Sequence, residues 1–149
     1  GLLGSKAYIA QQEALIDQIK FCFNFDMCGT ILGPNHIVVT GGDDLKHFIE
    51  QFCREQGYSA EFDVNVHSSD SAPFCDRGIP ALGLSRETRT AEIHTRRDLM
   101  PPLGNRQLRE NVDFAVRLID RVANSVRMPV PCGMPDEMKE KLDKYFRRK

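Results

Sequence analysis

The chain is expected to be an α/β protein, a sheet layered with helices, and three observations carry that expectation. Apolar residues alternate with a period of two in short runs, such as Phe21, Phe23 and Phe25, which is the mark of a strand. Other stretches repeat at three and four residues, as in Leu45, Phe48, Ile49 and Phe52, the mark of a helix packed along one stripe. The two kinds take turns along 149 residues, and strands alternating with helices build layered α/β sheets. A chain of this length fits one domain with a usable core.

In order, Gly4-Ser5-Lys6-Ala7-Tyr8 opens a helix with Ser5 as its cap. Residues 19–27 alternate Ile19, Phe21, Phe23, Phe25 and Met27, a strand with one strongly apolar face. Gly33-Pro34-Asn35 turns the chain into a short buried strand, His36-Ile37-Val38-Val39-Thr40, closed by Gly41-Gly42. Asp43 or Asp44 then caps a helix striped by Leu45, Phe48, Ile49, Phe52 and Cys53, which ends at Gly57. Ala60, Phe62, Val64 and Val66 alternate with Glu61, Asp63 and Asn65, a strand with one wet face.

A loop over residues 67–74 leads to a short strand at 79–84, and 91–93 makes another. Asn105 opens a long helix whose stripe, Leu108, Val112, Ala115, Leu118, Ile119, Val122 and Val126, is expected to pack in the core. Pro129 and Pro131 end it. Residues 135–149 form a charged helix with Met138, Leu142 and Tyr145 or Phe146 as a thin apolar edge.

Charged residues are 28% and nearly balanced at a net charge of -1, so no nucleic-acid or membrane surface is expected. Arg96-Arg97 and Arg147-Arg148-Lys149 are too short to form basic patches. No apolar run approaches the ~18 residues of a membrane helix. No signal peptide is expected from the opening residues, although Gly1 is not a natural start. Cys22, Cys28, Cys53, Cys75 and Cys132 are odd in number and hold no CxxC pair, which argues against a disulfide framework or a cysteine zinc site. Cys22 and Cys53 fall in apolar patterns as buried small hydrophobes. A reducing cytoplasm is the expected location.

Three segments bear chemistry. Phe23-Asn24-Phe25-Asp26-Met27-Cys28-Gly29 ends an apolar strand on a carboxylate. Ser69-Asp70-Ser71-Ala72-Pro73-Phe74 is followed by Gly78-Ile79-Pro80-Ala81, and Ala91-Glu92-Ile93-His94-Thr95-Arg96-Arg97-Asp98 comes last. A carboxylate leaving a strand and a histidine on a loop are ligand types that zinc takes from proteins. Both follow strand ends, where open α/β sheets build their sites.

Together with Gly1-Leu2-Leu3-Gly4-Ser5, these segments stand in the order of the zinc aminopeptidase family, and the chain resembles its dinuclear members. That family includes glutamate carboxypeptidase and has glutaminyl cyclase as a relative. The resemblance runs from residue 1 to about residue 125. It implies a mixed sheet flanked by helices, truncated at the N-terminus: one partial domain over 1–149, with a family-like core at 1–127 and an extension at 128–149.

The resemblance also implies roles. Asp26 is a ligand of one zinc and His94 of the other. Asp98 holds the loop or accepts the second N–H of a ligand. Asp70 is followed by Ser71 where a histidine often stands, so Ser69-Asp70-Ser71 is a site-forming loop. His67 falls where relatives place a tyrosine or histidine that donates to the substrate carbonyl, a candidate oxyanion donor. Arg86, after a strand end, could meet a substrate carboxylate. On the residues alone, Asp26 would read as a turn cap, His94 as a packed histidine and His67 as a surface one. His36 and His47 read as surface or packed residues.

In the family, two adjacent glutamates stand immediately before the G-L-x-G-S motif, the first a general base and the second a zinc ligand. A histidine and a bridging aspartate lie further upstream. None of these falls within the chain, so no catalytic base is expected in it. Two ligands serving different zincs cannot close a tetrahedral site, so no tight stoichiometric zinc is expected either. For the intact enzyme the resemblance implies hydrolysis of a peptide or aminoacyl substrate at its N-terminal end by metal-activated water, with a glutamate shuttling the proton. The isolated chain is expected to be inactive.

Two rival readings remain. One is a single-zinc acyl transfer of the glutaminyl-cyclase kind, disfavoured because that branch commonly carries a tryptophan before the His-Thr pair and this chain has none. The other is a non-catalytic fold fragment or assembly module. Either way, a missing N-terminal half leaves a strand edge and an apolar helix face uncovered. The chain is therefore expected to form a homo-oligomer or bind the missing half, with the Phe21-Phe23-Phe25 strand having lost a neighbour.

Overall fold

The period-two runs become strands β1 (Cys22–Phe25), β2 (Asn35–Thr40), β3 (Glu61–Val64) and β4 (Ala81–Arg86). A computed structural model describes residues 1–86, 93–101, 103–130 and 133–147. The helices are α1 (Leu3–Gln11), α2 (Asp43–Gln56), the single turn α3 (Ala72–Cys75), α4 (Asn105–Ala123) and α5 (Asp136–Tyr145), with a 3₁₀ segment at Glu13–Gln18. The strands form one mixed sheet in the order β1-β4-β2-β3. β1 runs parallel to β4 and β2 parallel to β3, while β2 and β4 pair antiparallel from Asn35 opposite Arg86 to Thr40 opposite Ala81.

Alternation sorts the strand residues onto two faces. Ile37, Val39, Leu82 and Leu84 point to one side and pack with Leu45, Ile49 and Phe52 of α2 and with Phe114 and Leu118 of α4. Burying each of these large side chains contributes about 1.5–3 kcal/mol, so this layer is the main source of stability. On the other side Ala81 packs with Cys75 of α3 and with Met134, Met138 and Leu142 around α5. Elsewhere that second face carries Asn24 and Ser85 beside Val38 and Gly83, and the site lies there.

Gly57 closes α2 as the pattern requires. It takes φ 62°, where an L side chain would be strained, and its N–H reaches the Arg54 carbonyl. The turn delivers Tyr58 onto α4, where its ring stacks on Phe114 with centroids 3.8 Å apart.

Several expectations are corrected. Ser5 lies inside α1 rather than capping it; its hydroxyl donates to the Leu2 carbonyl and to Asp70. Gly42 occupies the cap position before α2, and Asp43 and Asp44 fall in its first turn, where their charges interact favourably with the helix dipole. Residues 13–18 close into the 3₁₀ segment, so β1 begins only at Cys22. Ile93 is in a turn rather than a strand, and Ala91 and Glu92 lie outside the described residues. On α4 the buried side chains are Asn111, Phe114, Ala115 and Leu118, whereas Leu108, Val112 and Ile119 face solvent. The expected stripe spanned two faces of the helix, and only one of them meets the sheet. Val126 lies past the helix end and is fully exposed.

Candidate active site

Asp26 follows directly on β1. Its N–H bonds the Leu84 carbonyl at 3.1 Å, prolonging the β1–β4 pairing by one residue. The chain then turns through Met27, whose φ of 52° is uncommon for a residue with a side chain. Such a conformation costs about 1–2 kcal/mol, and surrounding bonds hold it. The Met27 carbonyl accepts from the Arg86 N–H at 3.2 Å. The Cys28 thiol donates to the Asp26 and Leu84 carbonyls, both at 3.1 Å. Burial pushes that thiol up to about 12, so it stays protonated as a donor. Asn111, wholly buried on α4, donates to the Cys28 carbonyl at 2.8 Å.

Asp26 borders a cavity of about 180 Å³ on this second face of the sheet. Val38 and Gly83 contribute from adjacent strands, Asn24 and Ser85 lie beside Asp26, and His67, Ser69 and Ser71 come from the loop after β3. Asp63, on β3, meets the His67 Nε2 at 2.7 Å, and the His36 ring stands 6.0 Å from the His67 ring. The Ser69 and Ser71 hydroxyls bond each other at 2.6 Å. The cavity thus joins one carboxylate, one imidazole and several hydroxyls with the apolar Met27, Val38 and Leu84, and among the described residues no lysine or arginine lines it.

The structure brings Asp26 and His67 to this cavity but not the other expected residues. Asp70 turns to α1, accepting the Ser5 hydroxyl at 2.9 Å. His94 stands in an exposed turn with φ 63°, and neither it nor Asp98 lines the cavity. Asp98 closes that turn through its N–H on the Thr95 carbonyl at 3.1 Å. The segment that leads into His94, residues 87–92, lies outside the described residues.

Arg86 serves its own neighbourhood. Its guanidinium donates to the Thr30 carbonyl and to Asn35 Oδ1, each at 2.7 Å, and to the Gly33 carbonyl. It pins the loop after Gly29 rather than offering a free fork to a carboxylate. Among the described residues no three His, Cys, Asp or Glu side chains converge as a metal-binding group. Taken by themselves, these residues do not fit a zinc ion.

Sequence reasoning missed Asn24 and Ser85, which share the cavity, and Asp63, the partner of His67. A signal for Asn24 was present, because it stands two residues before Asp26 on an alternating strand and so faces the same side. Asp63 stood on the wet face of its strand, but its pairing with His67 depends on how the following loop folds back.

A family model described as Peptidase family M28 matches residues 1–119. The fold is similar to that of a zinc aminopeptidase from Bacillus subtilis, with a TM-score of 0.67 and 20% identity over 87% of this chain and 35% of that one. A second structure of that enzyme gives 0.67 and 20%, over 89% and 36%. An aminopeptidase from Aneurinibacillus sp. strain AM-1 gives 0.66 and 21%, over 90% and 32%. At these identities the structural likeness speaks to fold alone, and the chain spans about a third of the length of these neighbours. No curated protein matches the sequence. With most of its length inside the family match, the chain belongs to peptidase family M28.

Proposed function

We propose that this chain is part of an exopeptidase that hydrolyses the N-terminal bond of peptides or small aminoacyl compounds. The observation that carries the reading is the chemistry of the cavity lining. An N-terminal ammonium entering it meets the Asp26 carboxylate and side-chain oxygens of Asn24, Ser69 and Ser85. A C-terminal carboxylate would meet no cation there among the described residues, since Arg86 is bound to its own loop. At about 180 Å³ the space admits a small amine end but lies below the roughly 300 Å³ at which pockets enclose larger ligands.

Zinc belongs to this proposal as the cofactor named for the structural neighbours. The resemblance to the dinuclear enzymes implies Asp26 and His94 as its ligands with Asp98 in support; a zinc on Asp26 would take the place of the ammonium at that carboxylate, so the two roles are alternatives. Because the described residues do not assemble a zinc site by themselves, their own contribution is binding. Asp26 and the hydroxyls hold the ammonium, and His67 stands where a hydrogen bond to the substrate can be made.

The test is hydrolysis of leucine p-nitroanilide by the full-length protein. Turnover is expected for the free amine, and background rates for the N-acetylated compound and for the Asp26→Asn variant. Equal turnover of the blocked substrate, or full activity in a folded Asp26→Asn protein, would overturn the reading.

A further inference from the structure

The loop that carries His67 to the cavity is short of backbone support. Asn65 N–H bonds the Val39 carbonyl at 3.2 Å, Val66 N–H bonds Asn65 Oδ1 at 2.9 Å, and the next backbone-to-backbone bond is Ala72 N–H to the Ser69 carbonyl at 3.0 Å. Between them, among the described residues, His67 and Ser68 are held through side chains alone. His67 meets Asp63, and Ser68 accepts the Tyr145 hydroxyl at 3.2 Å. Lys141, one turn earlier on α5, donates its Nζ to the Val64 carbonyl at the end of β3, also at 3.2 Å.

α5 itself is firmly seated. Met138 and Leu142 are 3% and 2% exposed and pack with Cys75 and Ala81, next to the start of β4. The helix also lies beyond residue 119, where the family match ends. So an element that the shared domain pattern does not cover reaches back to the wall of the cavity.

We propose that α5 is a positioning element for this cavity, with Tyr145 setting Ser68 and Lys141 setting the end of β3, so that His67 stays at the cavity wall. Pinning one peptide from each side removes most of the freedom of a loop otherwise free to move on the nanosecond scale. The anchoring side chains Met138 and Leu142 make the brace rigid, and the two polar side chains give it its aim. Tyr145 and Lys141 are positioning residues: they touch the loop, while His67, Ser69 and Ser71 face the space that a ligand would occupy. The inference rests on the reading of this cavity as the substrate site.

The test uses the whole chain, labelled with ¹⁵N and ¹³C, as Tyr145→Phe and as Tyr145→Phe with Lys141→Met. Both substitutions leave Met138 and Leu142 in place, so the fold should persist. The backbone order parameters of His67 and Ser68 are expected to fall from rigid values near ~0.85 to below ~0.6. The His67 ring signals should shift, while those of His47 on α2 and the amides of β4 stay where they are. Unchanged order at His67 and Ser68 would overturn the proposal, and so would a loosening spread evenly over the molecule, which would make α5 a source of general stability only. No substrate is involved, so this failure concerns α5 alone, whereas failure of the hydrolysis assay with loop order lost as expected would concern the cavity's function.

Discussion

Asn111→Ala is expected to destabilise the protein by about 3 kcal/mol, the loss for leaving two buried polar groups without partners at ~1–3 kcal/mol each. Asn111 is 0% exposed, and its amide joins two parts of the molecule that are distant in sequence. Its Nδ2 donates to the Cys28 carbonyl at 2.8 Å, and its Oδ1 accepts the Tyr58 hydroxyl. Burial pushes the Tyr58 phenol well above its ordinary range, so the hydroxyl remains a donor that needs an acceptor. The alanine variant leaves the Cys28 carbonyl and the half-buried Tyr58 hydroxyl without these partners.

Urea unfolding measures the loss, and a Tyr58→Phe partner variant separates its two halves. The double variant should lose less than the sum of the singles, because removing Tyr58's hydroxyl removes one orphaned donor. A loss under about 1 kcal/mol in Asn111→Ala would mean that water replaces the amide, and that Asn111 does not fasten the turn bearing Asp26.

The chain is also expected to self-associate, and Ile119→Glu should abolish that association. β1 pairs with β4 on one side only, so among the described residues it is an edge strand. Beside it lies an apolar groove of about 480 Å³ lined by Phe21, Phe23, Ile119, Val122 and Met128. Val116 and Ile119 continue the groove along α4 at 60% and 50% exposure. An open strand edge next to a contiguous apolar patch is the usual template for pairing with another chain.

We expect sedimentation at micromolar concentration to give a species larger than the 16.9 kDa chain. A glutamate at position 119 places an unpaired charge inside the contact, at a cost of several kcal/mol, and should return the monomer. A clean 16.9 kDa species for the unaltered chain, unfolding cooperatively, would show that it closes its own core.

How much of this could be read from the residues differs from element to element. The strand at Cys22–Phe25 was legible from its alternation, and that at Asn35–Thr40 from the Gly33-Pro34 turn before it and the Gly41-Gly42 pair after it. α2 was legible because its stripe and its closing Gly57 agree. α4 was legible as a helix but not in its facing, since apolar residues cover more than one side of it and the sequence cannot say which side meets the sheet. Asn111 was invisible for the same reason: a polar residue between Leu108 and Val112 looks solvated until Cys28 and Tyr58 are placed next to it.

At the cavity, Asp26 stands where the sequence ends a strand on a carboxylate, and Ser69 and Ser71 come from the Ser69-Asp70-Ser71 loop that the resemblance singles out, while Asp70 itself turns to Ser5. Arg86 was read as a candidate for a substrate carboxylate because it stands at a strand end, where it is the last residue of β4. Its four-way hold on Thr30, Ile31, Gly33 and Asn35 depends on the path of a loop that no local pattern encodes. The brace from α5 joins residues 77 positions apart, beyond the reach of any periodicity.

The central claim is that the cavity beside Asp26 receives an N-terminal amine. The most direct measurement is a titration of the ¹⁵N-labelled chain with leucine amide, followed by amide chemical shifts. The account predicts shifts gathered on Asn24, Asp26, His67, Ser69, Ser71 and Ser85, and none at the same residues with N-acetylleucine amide. Shifts centred on the groove between β1 and α4, or the same response to the acetylated compound, would contradict it.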